Sequence, residues 1–101
     1  MAIAKHKAGK TLFLDARPAS FYEQGHIEGA INIPSAIFDI MYMMELSEID
    51  KQKDIIVYGR TISSLYDFQV ARKLILRGHK STMILEAGFG AWENKGFPVK
   101  P

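Results

Sequence analysis

The part of this sequence best suited to chemistry is a short loop between a predicted strand and a predicted helix. The strand covers Asp54–Tyr58, and the loop Gly59-Arg60-Thr61-Ile62-Ser63-Ser64 follows it. The first N–H groups of a helix have no partner within the helix, and this end carries partial positive charge. Such a loop can hold an anion or a nucleophile. Gly59 offers no nucleophilic atom, however, and the chain contains no cysteine.

A second polar group, formed by Asp15 and Arg17, follows a short apolar run at positions 11–14 that predicts a buried strand. In open parallel sheets, ligand sites lie beyond the carboxyl ends of the strands. We therefore expect the Asp15–Arg17 turn and the 59–64 loop at the same edge of a sheet, with both polar residues organising the loop.

Composition and charge exclude several classes of function. The 101 residues suffice for one domain with a single core, and 48% hydrophobic with 24% charged residues is typical of a folded protein. A net charge of +2, with scattered Lys and Arg, does not indicate nucleic-acid binding.

The three histidines stand far apart, so no metal site is expected, and no cofactor is expected. Apolar runs are too short for a membrane span, and no secretory signal is visible, so we expect a cytoplasmic protein.

The remaining elements alternate between strands and helices. Apolar runs predict strands at 11–14, 30–33, 54–58 and 81–85, and helices are predicted at 19–24, 35–46 and 88–95. A longer helix, capped by Ser63 or Ser64, is expected to run to Arg77 and end at Gly78. Its predicted buried face consists of five residues at helical spacing, Leu65, Phe68, Ala71, Leu74 and Ile75. This alternation predicts a parallel sheet covered by helices on both faces.

The predicted helix Ile37–Leu46, with Ser35 as its N-cap, has almost no polar face. A helix that is apolar all round is either buried or covered by another molecule. Methionine-rich surfaces adapt well to partners. We therefore expect a protein partner or a homodimer here, through Phe38, Met41, Tyr42 and Met44, unless the methionines only roof the core.

Three separated motifs resemble the signatures of rhodanese-like domains. They are Leu14-Asp15-Ala16-Arg17-Pro18, then Gly25-His26-Ile27-Glu28-Gly29-Ala30-Ile31-Asn32-Ile33-Pro34, and finally Leu85–Trp92 with Gly96–Val99. They occur in the family's order and cover residues 11–99. The resemblance implies a three-layer α/β sandwich with a central, mostly parallel sheet of about five strands and helices on both faces. One domain is expected over residues 1–101. Family members usually carry a further strand before Lys10, so the front edge is expected to be trimmed, or its edge strand to be swapped or missing.

The resemblance also implies a persulfide-forming cysteine in a loop of pattern Cys-x-x-Gly-x-Arg-Ser/Thr, and this chain departs from it at each chemical position. Gly59 replaces the cysteine, Ile62 the glycine, Ser64 the arginine and Leu65 the hydroxyl residue. Related phosphatases and arsenate reductases place histidine before the cysteine and arginine six residues after it. Tyr58 and Leu65 occupy those places here.

The resemblance leaves three interpretations of function. The first is a catalytically inactive rhodanese-like domain that acts as a binding or regulatory module. The second is a sulfurtransferase whose cysteine at position 59 was replaced by mutation, which the accompanying changes at Ile62, Ser64 and Leu65 disfavour. The third is weak binding of a small anion by Arg60 and the 60–64 backbone. The family motif uses His26 structurally, so we expect it to hydrogen bond to Asp15 or to a backbone carbonyl.

Overall fold

Short strands alternate with helices along the chain, as the sequence predicts. The computed structural model describes residues 2–60 and 65–101. The strands are β1 Leu12–Asp15, β2 His26–Ile27, β3 Ile31–Asn32, β4 Ile55–Tyr58, β5 Thr82–Ile84 and β6 Val99–Lys100. The helices are α1 Ala2–Ala8, α2 Ala19–Gln24, α3 Phe38–Met41, α4 Tyr66–Leu76 and α5 Gly88–Asn94. None of the helices within these described ranges is long and apolar enough to cross a bilayer.

The central sheet is parallel and has the strand order β3-β1-β4-β5. Leu14 of β1 stands opposite Ile31 on one side and Val57 on the other. Every residue of β4 is buried, as expected for a central strand with helices on both faces. The main sheet has four strands in the described ranges rather than about five. A separate antiparallel ribbon forms where β2 pairs with β6.

Two apolar clusters lie on opposite faces of the sheet and confirm the three-layer α/β sandwich. The first cluster includes Leu14, Val57 and Leu74 and packs under α3 and α4. The second includes Phe13, Ile56 and the buried side chains of α5. Successive side chains of β1 and β4 point to opposite faces, so each strand contributes to both clusters. The core roles predicted for Phe89 and Trp92 are confirmed, because both are buried in the second cluster.

The buried face predicted for the long helix is only partly correct, because the buried stripe is rotated relative to the prediction. Ala71 and Leu74 are buried as expected, but Val70 and Asp67 complete the buried stripe of α4. The other three predicted core residues are exposed, namely Leu65, Phe68 and Ile75. The helix carries two apolar stripes, and the sheet covers only one. The small and β-branched side chains of Ala71 and Val70 let the helix approach the strands closely. The predicted caps, Ser63 and Ser64, lie outside the described residues.

The segment 35–46 is not one regular helix. A 3₁₀ turn over Ser35–Ile37 precedes α3, and a π-helical segment over Tyr42–Leu46 follows it. Ser35 does not cap a helix, because its hydroxyl hydrogen bonds to the Gln69 side chain.

The partner surface predicted on this segment needs a correction. Phe38 and Tyr42 are core residues, and Met41 is half-buried. Phe38, Tyr42 and the buried Leu46 recur every four residues and point into the first cluster. Only Met44 of the four predicted surface residues is exposed.

Candidate functional site

The carboxyl ends of β1 and β4 meet at a buried hydrogen-bond network. Asp15 and Tyr58 are register partners on these strands. The Tyr58 hydroxyl donates to Asp15 Oδ2 at 2.8 Å and accepts from the Ile27 N–H at 3.0 Å. The network therefore ties the main sheet to the β2–β6 ribbon through a single phenol.

Arg17 closes this network from the turn that follows β1. Its Nε donates to Asp15 Oδ1 at 2.9 Å, and its Nη2 donates to Oδ2 at 2.6 Å. The backbone N–H of Arg17 adds a third bond to Oδ1, and Nη2 also donates to the Gly25 carbonyl. The guanidinium lies 4.2 Å from the centre of the Phe89 ring. Arg17 is thus held by hydrogen bonds to Asp15 and Gly25 and by the contact of its guanidinium with the Phe89 ring.

Electrostatics keep the Tyr58 hydroxyl protonated. Burial, reinforced by the negative charge of Asp15, raises the pKa of Tyr58 far above its ordinary value. Tyr58 therefore remains a neutral donor at physiological pH. Asp15 is fully buried, and both of its oxygens already accept hydrogen bonds. This carboxylate can organise the site, as the sequence predicts, but it cannot reach a substrate.

Gly59 lies directly after β4 and is buried. Its carbonyl accepts a hydrogen bond from the Phe89 N–H at 3.0 Å, and the Arg60 carbonyl accepts from Gly90. Position 59, where the resemblance places the family's nucleophile, is therefore fastened to the start of α5. The Arg60 guanidinium stacks over the Phe21 ring of α2 at 4.6 Å.

The remaining residues of the predicted anion loop, Thr61, Ile62, Ser63 and Ser64, lie outside the described residues. Anion binding by this loop therefore stays a prediction. Of the described loop residues, Arg60 has its side chain in contact with the Phe21 ring.

His26 makes local contacts and does not join the Asp15 network. Its Nδ1 lies 2.8 Å from the Tyr22 carbonyl, and its ring stacks on the Tyr22 ring at 3.7 Å with an interplanar angle of 8°. The Tyr22 hydroxyl in turn donates to the Ala30 carbonyl. Of the two partners expected for His26, the structure shows the backbone carbonyl. These contacts fit the structural role that the sequence predicts.

A shallow cleft lies beside the ends of β1 and β3. Its volume is about 220 Å³, and its described lining includes Ala16, Pro18, Pro34, Ile37 and Tyr66. None of the lining side chains in the described ranges is charged. Elsewhere in those ranges, no group of three histidine or carboxylate side chains is arranged to hold a metal ion. The cleft can accept an apolar group, and its described lining contains no carboxylate, histidine, lysine or arginine.

Sequence reasoning missed two contributors to the site. Tyr58 stands where related phosphatases carry a histidine, and its hydroxyl connects β4 to Asp15 and Ile27. The Asn32 amide donates to the carbonyls of Asp15 and Arg17, which holds the turn after β1. A polar residue at the end of a wholly apolar strand was the available signal for Tyr58.

Comparisons with family models, known proteins and solved structures indicate the same family. Residues 2–95 match the rhodanese-like domain. A dual specificity phosphatase Cdc25 from Arabidopsis thaliana is 31% identical, over 93% of this chain and 69% of that protein. A sulfurtransferase from Allochromatium vinosum is 30% identical, over 87% of this chain and 77% of that protein. A solved rhodanese-like domain from Anabaena sp. is 30% identical with a TM-score of 0.76, over 90% of this chain and 87% of that one. The chain therefore belongs to the family of rhodanese-like domains, which includes sulfurtransferases.

Proposed function

We propose that this chain is a catalytically silent rhodanese-like domain that works in the cytoplasm as a binding or regulatory module. The observation that carries the proposal is Gly59, a residue without a side chain at the position where the family's nucleophile belongs. Persulfide chemistry requires a thiolate at this point, and the chain has no cysteine.

The described surroundings of Gly59 offer no substitute nucleophile. Asp15 is buried and fully hydrogen bonded, and Tyr58 is held as a neutral donor. Arg60 stacks on Phe21. Activation of a water molecule would require a free base beside the loop. The described residues around Gly59 therefore support a role in holding the fold of the site rather than in reacting with a substrate.

The proposed binding surface is the exposed side of the 35–46 segment. It is formed by Ile37, Ile40, Met43 and Met44, which we call the methionine surface. Met43 is 71% and Met44 70% exposed, while the opposite side of the segment is in the core. Clustered exposed apolar side chains are typical of protein-binding sites, and methionine adapts to varied partners. We propose that this surface binds another protein.

The catalytic part of the proposal is tested by returning a thiol to position 59. We expect the wild-type protein and Gly59→Cys to show no thiosulfate:cyanide sulfurtransferase activity above the buffer blank. Ile62 and Ser64 still replace the glycine and arginine of the family loop, so the thiolate would lack its anion-binding partners. Ser47→Cys, which places a thiol on an exposed turn, is the matched control. Robust turnover by Gly59→Cys alone would contradict natural loss of function and favour a replaced cysteine.

The binding part is tested by photo-crosslinking in cells. A photoreactive amino acid at Met44 should give a discrete adduct with one protein partner, whereas the same group at the exposed Lys95 should not. Met43→Glu should abolish the Met44 adduct, because a charge cannot be desolvated in an apolar interface without cost. Identical adduct patterns at positions 44 and 95 would contradict a specific partner for the methionine surface.

A further inference from the structure

One side of the methionine surface is bordered by α4. The Ser35 hydroxyl donates a hydrogen bond to the Gln69 side chain, and Lys73 Nζ lies 5.5 Å from the centre of the Phe38 ring. The Arg77 guanidinium lies 5.3 Å from the same ring. Gln69, Lys73 and Arg77 follow one another at intervals of four residues, so they form one row along α4. The row faces the segment that carries the methionine surface, and two of its three members are cations.

A third cation lies near the end of this row. Lys51 Nζ donates to the Tyr42 hydroxyl at 3.1 Å, and the Arg77 guanidinium lies 4.5 Å from the centre of the Tyr42 ring. Tyr42 is buried and directly precedes the exposed Met43. Lys51, Lys73 and Arg77 are all exposed, so their charges are accessible along the α4 side of the methionine surface.

Among the described residues, one carboxylate forms an ion pair with these three cations. Asp39 accepts a hydrogen bond from Arg77 Nη2 at 2.8 Å, and the Asp39 side chain is 75% exposed. Neither Lys51 nor Lys73 forms an ion pair with a described residue. An exposed ion pair contributes little to stability, so a carboxylate of another molecule can compete with Asp39 for Arg77. The α4 side of the methionine surface therefore carries surplus positive charge.

The sign of the local charge differs between the two sides of the segment. Burial lowers the pKa of His79, and the positive charges of Lys51 and Arg77 lower it further. Burial raises the pKa of Tyr22 in α2, and negative charges that include Glu45 raise it further. A molecule that covers the methionine surface therefore meets cations along the α4 side.

The spacing of the exposed apolar residues favours a helix as that molecule. Ile37, Ile40 and Met44 recur at intervals of three and four residues, and Met43 lies beside them. Side chains at these intervals form ridges that pack into the grooves of a second helix. The flexible methionine side chains can adjust to the shape of that helix.

We propose that the methionine surface binds an acidic amphipathic helix of a partner protein. The apolar stripe of this helix covers Ile40, Met43 and Met44, and carboxylates beside the stripe pair with Lys73 and Arg77. Apolar burial supplies most of the affinity, while the charges select the partner and speed its association. This inference rests on the proposed function and adds the chemical class of the partner.

Two dye-labelled model helices test the charge of the partner. Both carry the same leucine stripe, and the remaining positions are mainly glutamate in one helix and mainly lysine in the other. By fluorescence anisotropy at low salt, the wild-type protein should bind the glutamate helix at least about tenfold more tightly than the lysine helix. Met43→Glu should weaken binding of the glutamate helix, because it places a like charge in the apolar contact.

Charge variants of the protein locate the contact. Lys73→Glu should weaken binding of the glutamate helix about five- to tenfold, since an attractive contact is lost and a repulsive one is created. Lys73→Gln should weaken it by a smaller factor. Lys95→Glu makes the same change in net charge on α5, on the opposite face of the sheet, and should leave the affinity within about twofold. All three variants change exposed side chains, and circular dichroism should show an unchanged fold.

The same experiments can overturn the inference without overturning the proposed function. Equal affinities for the two helices, or equal effects of Lys73→Glu and Lys95→Glu, would contradict an acidic partner at this surface. A glutamate helix that does not bind would also overturn the inference. In each case a Met44 photoadduct with another protein would still support the proposed function, and its absence would contradict both. A Met44 adduct of twice the monomer mass would assign the surface to a second copy of this chain and overturn the inference.

Discussion

Asp15, which the sequence predicts to organise its loop, has both carboxylate oxygens occupied by hydrogen bonds. An aspartate at the carboxyl end of a buried strand stands where catalytic carboxylates are often found. Here its oxygens accept bonds from the side chain and backbone of Arg17 and from Tyr58. Burying a carboxylate is costly unless it is paired and hydrogen bonded, and these contacts satisfy that requirement. The site thus holds a fully hydrogen-bonded polar network in a chain that contains no cysteine.

The contribution of the Asp15 network to stability can be measured by making the same aspartate-to-asparagine substitution at a buried and at an exposed position. Asp15→Asn should lower the free energy of unfolding by about 3–5 kcal/mol, because it leaves the buried Arg17 charge without its partner. Asp39→Asn removes an exposed carboxylate that also pairs with an arginine, Arg77, and should cost about 0–1 kcal/mol. Urea unfolding at neutral pH provides both values. Equal losses at the two positions would show that the Asp15 network contributes no more than a surface pair.

At the level of elements, the 35–46 segment divides sharply into a buried and an exposed side. The 3₁₀ turn and the π-helical segment change the angular spacing, and the structure still directs Phe38, Tyr42 and Leu46 inward. The exposed residues of the methionine surface lie on the outer side. The apolar residues of this segment are interrupted only at Asp39 and Glu45, so the sequence could not show which side would be buried.

The two sides should respond differently to truncation. Phe38→Ala should lower the free energy of unfolding by about 3–5 kcal/mol, since it opens a cavity in the first cluster. Met43→Ala should change it by no more than about 0.5 kcal/mol, because this side chain is mostly in water. Thermal and urea unfolding measure both. A large loss for Met43→Ala would mean that the methionine surface belongs to the core, which would remove the proposed binding site.

At the level of the whole molecule, one buried histidine couples folding to pH. His79 is fully buried after α4, where its Nε2 lies 2.6 Å from the Tyr42 hydroxyl. Its Nδ1 has no hydrogen-bond partner within the described residues. Burial lowers the pKa of His79, and the nearby positive charges of Lys51 and Arg77 lower it further.

Stability should therefore fall as the pH drops below about 6.5, the ordinary pKa of histidine, toward the lower pKa of folded His79. In this window the unfolded chain binds a proton that the folded protein does not. His79→Gln should flatten this part of the pH profile, measured as urea midpoints across a pH series. Burial raises the pKa of the Asp67 carboxyl, which has the opposite effect at lower pH, but Asp67 is present in both proteins and cancels in the comparison. Parallel profiles for the two proteins would contradict the role of His79.

The sequence by itself determined the fold class, the positions of the main strands and helices, and the missing nucleophile. These are local properties. The apolar run that became β4 is too short for a helix and ends in a loop, and the motifs around Asp15 and His26 have fixed spacing. The absence of cysteine needs no structure at all. The three short motifs are also local in the sequence, and the family membership expected from them is confirmed.

Only the tertiary structure decided which surfaces are buried and which residues meet. The two apolar stripes of α4 are nearly equivalent in sequence, and contact with the sheet selected the one that contains Val70. Tyr58 meets Asp15 across 43 positions, and β2 meets β6 across more than 70. Such contacts depend on the relative placement of distant elements, which hydrophobic periodicity does not encode. The same placement turned the methionine surface outward.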